Sequence, residues 1–276
     1  MTPQKTLLIT GVSSGFGRAL AQAALAAGHR VVGTVRSAQA RQEFEALGAG
    51  AVGRVLDVTD VDAIPGMVAE LEAAVGPLDV LVNNAGYGHE GILEESPLEA
   101  LRRQLEVNVV GAVAMMQAVL PSMRQRRRGH IVNITSMGGF ITMPGIAYYC
   151  GSKFALEGIS EALGQEVAAL GIHVTAVAPG SFRTDWAGRS MVRTPRSIAD
   201  YDALFDPIRD ARQAKSGRQL GDPAKAAQAM LALIDAPAPP AHLLLGSDAL
   251  ALVRDKLDRL KTDIAAWEAV SRSTDA

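Results

Sequence analysis

The chain has a single cysteine, Cys150, among 276 residues. That excludes an intramolecular disulfide framework and suits a reducing compartment, so the cytoplasm is the expected location. Histidine is also scarce. His29, His130, His173 and His242 open β-branched runs, His89 stands alone after Gly88, and no spacing among them suits metal ligation, so no metal is expected. A formal charge of -2 gives no bias toward nucleic acid. Met1 to Lys5 carries no charged leader region, and no signal peptide is expected. The longest uncharged stretch, Val107 to Met123, is interrupted by Asn108, Gln117, Pro121 and Ser122. It falls short of the roughly 20 apolar residues that span a bilayer, so it is expected to be a core helix and no integral membrane segment is expected. One basic cluster, Arg124, Arg126, Arg127 and Arg128, ends this apolar pattern. A helix dipole favours cations there, with phosphate or membrane contact as the alternative.

What is present is alternation. Short β-branched runs at Thr6 to Thr10, Arg30 to Val35, Ala51 to Leu56, Leu78 to Val82, His130 to Thr135, His173 to Ala178 and His242 to Leu245 alternate with helical patterns. The helices fit Gly15 to Ala27, Ala38 to Leu47, Val61 to Val75, Pro97 to Arg127, Ala147 to Leu170, Pro223 to Leu233 and Ser247 to about Val270. This is the pattern of repeated βαβ units: a doubly wound α/β fold with a parallel sheet, Rossmann-like, in one domain over residues 1–276. Residues 181–221 break the rhythm with a long polar stretch rich in arginine. Because it hangs from the carboxyl edge of the sixth of these strands, it is expected to be a mobile substrate lid.

Two constellations carry chemistry. After the first strand, Thr10-Gly11-Val12-Ser13-Ser14-Gly15-Phe16-Gly17 places glycines where a tight turn brings backbone close to a pyrophosphate at a helix N-terminus. Farther on, Tyr149 and Lys153 stand four apart on one helix face, with Ser136 upstream. A phenol with an ordinary pKa of about 10 is a poor acid or base at neutral pH. An ammonium about 5 Å away would stabilise the phenolate by about 3 kcal/mol at an effective dielectric near 20, which is a downward shift of roughly two units. At the end of the second strand, the slot that offers an acid to the ribose of NAD holds Val35, followed by Arg36. Arg36 suits a 2′-phosphate, with a solvated residue at a strand exit as the alternative, so NADP(H) is expected over NAD(H).

The spacing of the glycine turn, with Asn83-Asn84-Ala85-Gly86, Asn108, Ser136, Tyr149-x-x-x-Lys153 and Pro179-Gly180-x-x-x-Thr184 in this order, resembles the short-chain dehydrogenase/reductase family over about residues 5 to 250. Asn83 to Gly88 and Tyr149-Cys150-x-Ser152-Lys153 look most like its hydroxysteroid and retinol dehydrogenase-like branch. The resemblance implies hydride transfer between a nicotinamide and a carbonyl or alcohol. It makes Tyr149 the general acid/base, Ser136 the oxygen anchor, Lys153 the electrostatic and ribose partner, and Asn108 the support of a water-linked proton path. It extends the cofactor contacts to Ser13, Ser14 and Phe16 in the turn, the Asn83, Ala85 and Gly86 motif, and Pro179, Gly180, Phe182 and Thr184. Asp57 and Val58 resemble the pair that holds adenine, with a turn or cap role for Asp57 as the alternative. Tyr148, which has no lysine four residues later, is a packing or pocket residue.

Candidate pocket walls are Tyr87, His89, Met137 through Met143 with Phe140, Phe182, Trp186 and Met191. Two other classes of function stay open: a noncatalytic NADP-binding redox sensor or scaffold, and a peripheral membrane reductase of lipid-like carbonyls. The family also implies a homodimer or homotetramer packed through the long helices, while the tail beyond Ser247 either adds an interface or covers one.

Overall fold

A computed structural model describes residues 3–276. Seven parallel strands lie in the order β3-β2-β1-β4-β6-β7-β9: β1 Thr6–Thr10, β2 Arg30–Val35, β3 Ala51–Val55, β4 Val80–Asn83, β6 Gly129–Ile134, β7 Ile172–Pro179 and β9 His242–Leu245. Successive strand side chains point to opposite faces. Leu7 and Ile9 therefore pack with Leu20, Ala21 and Ala24 of α1 (Gly15–Ala26) and with Ala227 and Met230 of α8 (Pro223–Asp235). Leu8 turns the other way, toward Ile64, Val68 and Leu71 of α3 (Ala63–Val75) and Met115, Met116 and Val119 of α5 (Gly111–Arg126). With both faces covered, the central strands are mostly apolar, which is why they read as near-continuous runs. The order reverses between β1 and β4, and their carboxyl ends open the crevice where such sheets take ligands.

The helix expected over Pro97 to Arg127 is continuous but not uniform. It runs as α4 (Leu98–Leu105), a single π-turn at Glu106–Val110 that carries Asn108, and α5. By length and composition Leu98–Arg126 is apolar enough to cross a membrane. Here it lies against the sheet, with Gln104, Asn108, Met115, Met116, Val119 and Met123 buried. The arginines at its end are not simply solvated. Arg126 reaches Glu72 at 3.3 Å and the Leu78 carbonyl at 2.8 Å, Arg127 bonds the Ala169 carbonyl, and Arg128 meets Asp79 at 2.8 Å.

Residues 181–221 contain regular elements instead of running as one long loop. They hold β8 (Met191–Arg193), which pairs in parallel with β5 (Gly88–Glu90), and α7 (Asp202–Ala214). The many arginines explain why the segment reads as polar from sequence, because they bind inward to carboxylates that sequence spacing does not connect. Glu90, fully buried, takes Arg193 at 3.0 Å, Arg209 at 3.4 Å and Arg212. Glu95, whose side chain is fully covered, takes Arg196 at 3.0 Å and the backbone N–H groups of Ser197 and Ile198. Phe205 of α7 is fully buried over Gly145.

Gly145 has φ +77, and a Cβ there would overlap the Phe205 ring. Gly145→Ala is therefore expected to lift α7 while leaving the seven-stranded sheet folded. Hydrogen exchange should accelerate in 202–214 and not in β1, β4 or β6, and unchanged exchange in α7 would show that this contact does not seat the segment.

Candidate active site

The glycine turn follows β1 at the switch point. Gly11 and Gly15 have φ +72 and +56, a conformation L side chains rarely adopt. A Cβ on Gly17 would lie 2.4 Å from both the Asn84 amide nitrogen and the Gly11 carbonyl. Ser14 precedes α1 in extended conformation without a side-chain cap bond, so no capping side chain takes up the first N–H groups of that helix. Such a cradle fits the pyrophosphate of a dinucleotide. Ser13 is exposed at its rim, and Phe16 packs edge-on to Phe182 at 5.1 Å. Thr184 approaches Gly15 within 3.8 Å of a Cβ placed there, and so closes the cradle from the segment after β7. Pro179 ends β7, and the turn at Gly180 is fixed by Asp248, whose carboxylate accepts the Ser181 N–H at 2.8 Å.

Asn84 clamps this arrangement. Its amide donates to the carbonyls of Thr10 at 2.8 Å and Gly11 at 3.0 Å, while the N–H groups of Asn84 and Ala85 both donate to the Thr10 hydroxyl at 2.9 Å. The side chain of Asn83 points the other way. It donates to Asn133 at 2.9 Å and to the Ala112 carbonyl inside the core, because consecutive residues at a strand end face opposite sides. The Asn83 side chain is thus not part of the cradle, and the residue that shapes it is Asn84, which the sequence reading quoted but gave no role.

At the end of β2, Val35 is buried and Arg36 exposed. Asp57 accepts from the N–H of Thr59 at 3.0 Å and its hydroxyl at 2.8 Å, and lies 3.8 Å from Arg103. The Thr59 N–H first, then its hydroxyl and the charges of Arg103 and Arg36, hold this carboxyl below its usual range against the pull of burial. The turn role therefore accounts for its side chain, while Val58 is buried in the core beside α5.

The second constellation sits across the crevice. Tyr149, Ser152 and Lys153 are buried on α6 (Ala147–Val167), and Ser136 caps a short 3-10 turn after β6. Ser136 and Tyr149 flank Gly138, where an added Cβ would stand 3.3 Å from Ser136 Oγ and 3.4 Å from Tyr149 Cε1, and the Gly138 N–H donates to Ser136 Oγ at 3.0 Å. Lys153 Nζ lies 5.8 Å from the Tyr149 ring centroid and donates to the Ile134 carbonyl at 2.8 Å. Asn108 accepts the Tyr87 N–H at 3.1 Å and donates to the Tyr87 carbonyl and Ser152 Oγ, both at 3.1 Å. The missing side chain of Gly86 leaves the gap between Asn108 and Lys153: a Cβ there would stand 3.1 Å from Asn108 Oδ1 and 3.8 Å from Lys153 Nζ.

Electrostatics correct one expectation. The Tyr149 phenol is pushed up, not down, because burial outweighs the lowering influence of the Ser136 hydroxyl. Lys153 is driven down to about 8 by the same burial, opposed by Glu157. Desolvation penalises the charged form of each partner, and at this distance their mutual attraction does not overcome it. Glu157, one turn beyond Lys153, is itself pushed up by burial and is held by Thr135 and by His242 at 2.8 Å. Sequence reasoning missed it, although its spacing of four from Lys153 was the signal.

Trp186 lies over Tyr149 with ring centroids 4.9 Å apart, and with Met143 it packs on Ile146, Tyr149 and Cys150. Met191 is buried against Gly88. Of the other expected walls, Phe182 serves the cradle side and Phe140 faces His242 at 5.6 Å. His89 is buried, stacked on Tyr148 at 5.1 Å and bonded to Thr194, and Tyr148 donates to the Ser96 carbonyl at 2.9 Å.

The family model for short chain dehydrogenases matches residues 5–192. The chain belongs to the short-chain dehydrogenase family. Over its full length this short-chain dehydrogenase is similar to the crystal structure of another from Streptomyces avermitilis, with 41% identity, TM-score 0.93 and 100% of both chains covered. It is 41% identical over 206 residues, 74% of each chain, to the 3-ketodihydrosphingosine reductase of Bacteroides thetaiotaomicron. The solved structure of ElxO with NADP bound matches at 26% identity and TM-score 0.75, over 90% of this chain and 100% of that one.

The shift of Lys153 has a thermodynamic consequence. Its folded pKa of about 8 lies below its ordinary 10.5. Between those values the unfolded chain binds more protons, so stability rises with pH across that window. Relative to Lys153→Met, the wild type should gain on the order of 3 kcal/mol from pH 8 to 10.5 in denaturant unfolding. Glu157→Gln should start the rise at lower pH, and parallel curves for wild type and Lys153→Met would show an unperturbed lysine.

Proposed function

We propose that this short-chain dehydrogenase is an NADP(H)-dependent oxidoreductase that interconverts a ketone and a secondary alcohol, with Tyr149 as general acid/base. The observation that carries the reading is that Ser136, Tyr149 and Lys153 are buried together, with Lys153 Nζ 5.8 Å from the Tyr149 ring centroid. The nicotinamide, when bound, supplies or accepts the hydride. In the direction of reduction, Ser136 receives the Gly138 N–H and so has its own proton to donate to a carbonyl oxygen. Tyr149 gives its proton to the alkoxide as charge develops there. Burial serves this step, since a phenol that is hard to ionise keeps its proton until a stronger base appears beside it. Lys153 stabilises the phenolate that remains, and its own lowered pKa makes it a ready proton source near neutrality. Asn108, fixed by Tyr87 and Ser152 across the gap at Gly86, holds the polar exit behind Lys153.

Two features support NADP(H). The end of β2 offers no carboxylate, only buried Val35 and exposed Arg36, and a solved relative holds NADP. For the substrate, the wall of Trp186, Met143 and Ile146 around Tyr149 is apolar. A relative reduces 3-ketodihydrosphingosine by name. Together these favour a ketone on an aliphatic chain, and they favour it over the steroid or retinol reading. Because Trp186 covers the phenol, the indole must shift for such a chain to enter.

Tyr149→Phe is expected to lower kcat about 10²- to 10⁴-fold while leaving the Kd for NADPH within a few-fold, measured by turnover and by NADPH fluorescence. Turnover at the wild-type rate would remove Tyr149 from the chemistry. Arg36→Ala should weaken NADPH by about 1.5 to 3 kcal/mol and leave NADH unchanged, and equal effects on both cofactors would take Arg36 out of the phosphate site.

A further inference from the structure

The last helix, α9 (Ser247–Arg272), is rooted in the fold at one end only. Asp248 fixes the Ser181 turn, and Ala249 and Val253 are buried. From Leu257 onward every residue is exposed. The projecting part is about 24 Å long at 1.5 Å per residue, and an isolated helix of that length is marginal in water. It is also apolar along one seam. Leu250, Val253, Leu257, Leu260, Ile264 and Trp267 recur at alternating steps of three and four, which is the a/d pattern of three heptads. Beyond Val253 the seam is bare: Leu257 is 46% exposed, Leu260 45%, Ile264 62% and Trp267 66%.

We propose that this seam is an interface between two copies of the chain, which pair their α9 helices antiparallel as a short coiled coil. Charge selects both the partner and the direction. Residues 254–261 carry Arg254, Lys256, Arg259 and Lys261 against Asp255 and Asp258, whereas 262–269 carry only Asp263 and Glu268. In a parallel pair the flanking g and e positions would set Lys256 against Lys261 of the second copy and Asp263 against its Glu268, two like-charge contacts each made twice. Turned antiparallel, the basic half of each helix faces the acidic half of the other, and like charges meet only at the two-fold axis, where Lys261 and Asp263 each face their own copy once rather than in contacts made twice. Leu257 then packs on Trp267 of the second copy and Leu260 on its Ile264, while Arg254 stands opposite its Glu268. Glu268 already holds Arg272 at 2.7 Å within its own helix, so Arg254 of the second copy would complete a three-member group. In this register the end of the second helix reaches the level of Leu252, 40% exposed where α9 leaves the body. The overlap therefore uses the whole projection and keeps the two catalytic bodies at opposite ends.

The test is molar mass against concentration, by light scattering and sedimentation, on the full chain. Leu260→Glu with Ile264→Glu should remove one association step, whatever other interface persists, without lowering NADPH binding, since both sites are exposed and remote from the cradle. Arg254→Glu alone and Glu268→Arg alone should each weaken association roughly two- to fivefold, and the double swap should restore it, because only antiparallel self-pairing reunites the exchanged charges. Equal masses for wild type and the Leu260/Ile264 variant would overturn the proposal. A double swap no stronger than the single variants would overturn the antiparallel arrangement. Wild-type protein that stays at the smaller mass but binds phosphatidylglycerol vesicles through Ile264 and Trp267 would assign the seam to lipid instead.

Discussion

The site depends on burying an ammonium and a phenol side by side. Neither Lys153 nor Tyr149 is comfortable as an ion there: burial lowers the first and raises the second. What makes the ammonium tolerable is a short chain of partners drawn from three elements. The Ile134 carbonyl at the end of β6 receives its N–H, Glu157 stands one turn along α6, and Thr135 and His242 hold Glu157 in turn. A buried charge without such partners would neutralise itself, so these neighbours decide how much of the charge survives near neutral pH. The half of the sheet formed by β6, β7 and β9 is thus the electrostatic support of the site, while β1, β2 and β4 build the cradle.

The segment after β7 obeys a related rule with the charges reversed. Glu90 and Glu95 are carboxylates with no exposed surface in their side chains, and arginines distant in sequence reach in to them. Buried ion pairs of this kind add little net stability over apolar packing, but breaking one partner leaves a costly unpaired charge. Here they tie β8 and α7 to Glu90 of β5 and to Glu95 just after it. Phe205 seated on Gly145 adds the apolar part of the same contact.

Most of the fold was legible because strands covered on both faces read as near-continuous apolar runs, and β1, β2 and β9 fall where those runs place them. The glycine turn and the order Ser136, Tyr149, Lys153 were legible for a different reason: their chemistry fixes residue type and spacing at once. Long-range pairing was not legible. Nothing in the sequence joins Arg212 to Glu90 or Arg196 to Glu95, so a docked segment with a helix of its own read as a loop. The π-turn at Glu106–Val110 lies inside a pattern that is helical throughout, and only the fold shows that it turns Asn108 toward Tyr87 and Ser152. The direction of the Tyr149 shift failed because pairwise attraction can be estimated from spacing, whereas desolvation depends on what covers the pair.

What covers the pair also ties the two halves of the site together. Trp186, which lies on Tyr149, is two residues from Thr184, which lies on Gly15. The two belong to one short turn, where the Thr184 hydroxyl accepts the Trp186 N–H at 3.4 Å. The cofactor side and the substrate side therefore meet in one piece of backbone.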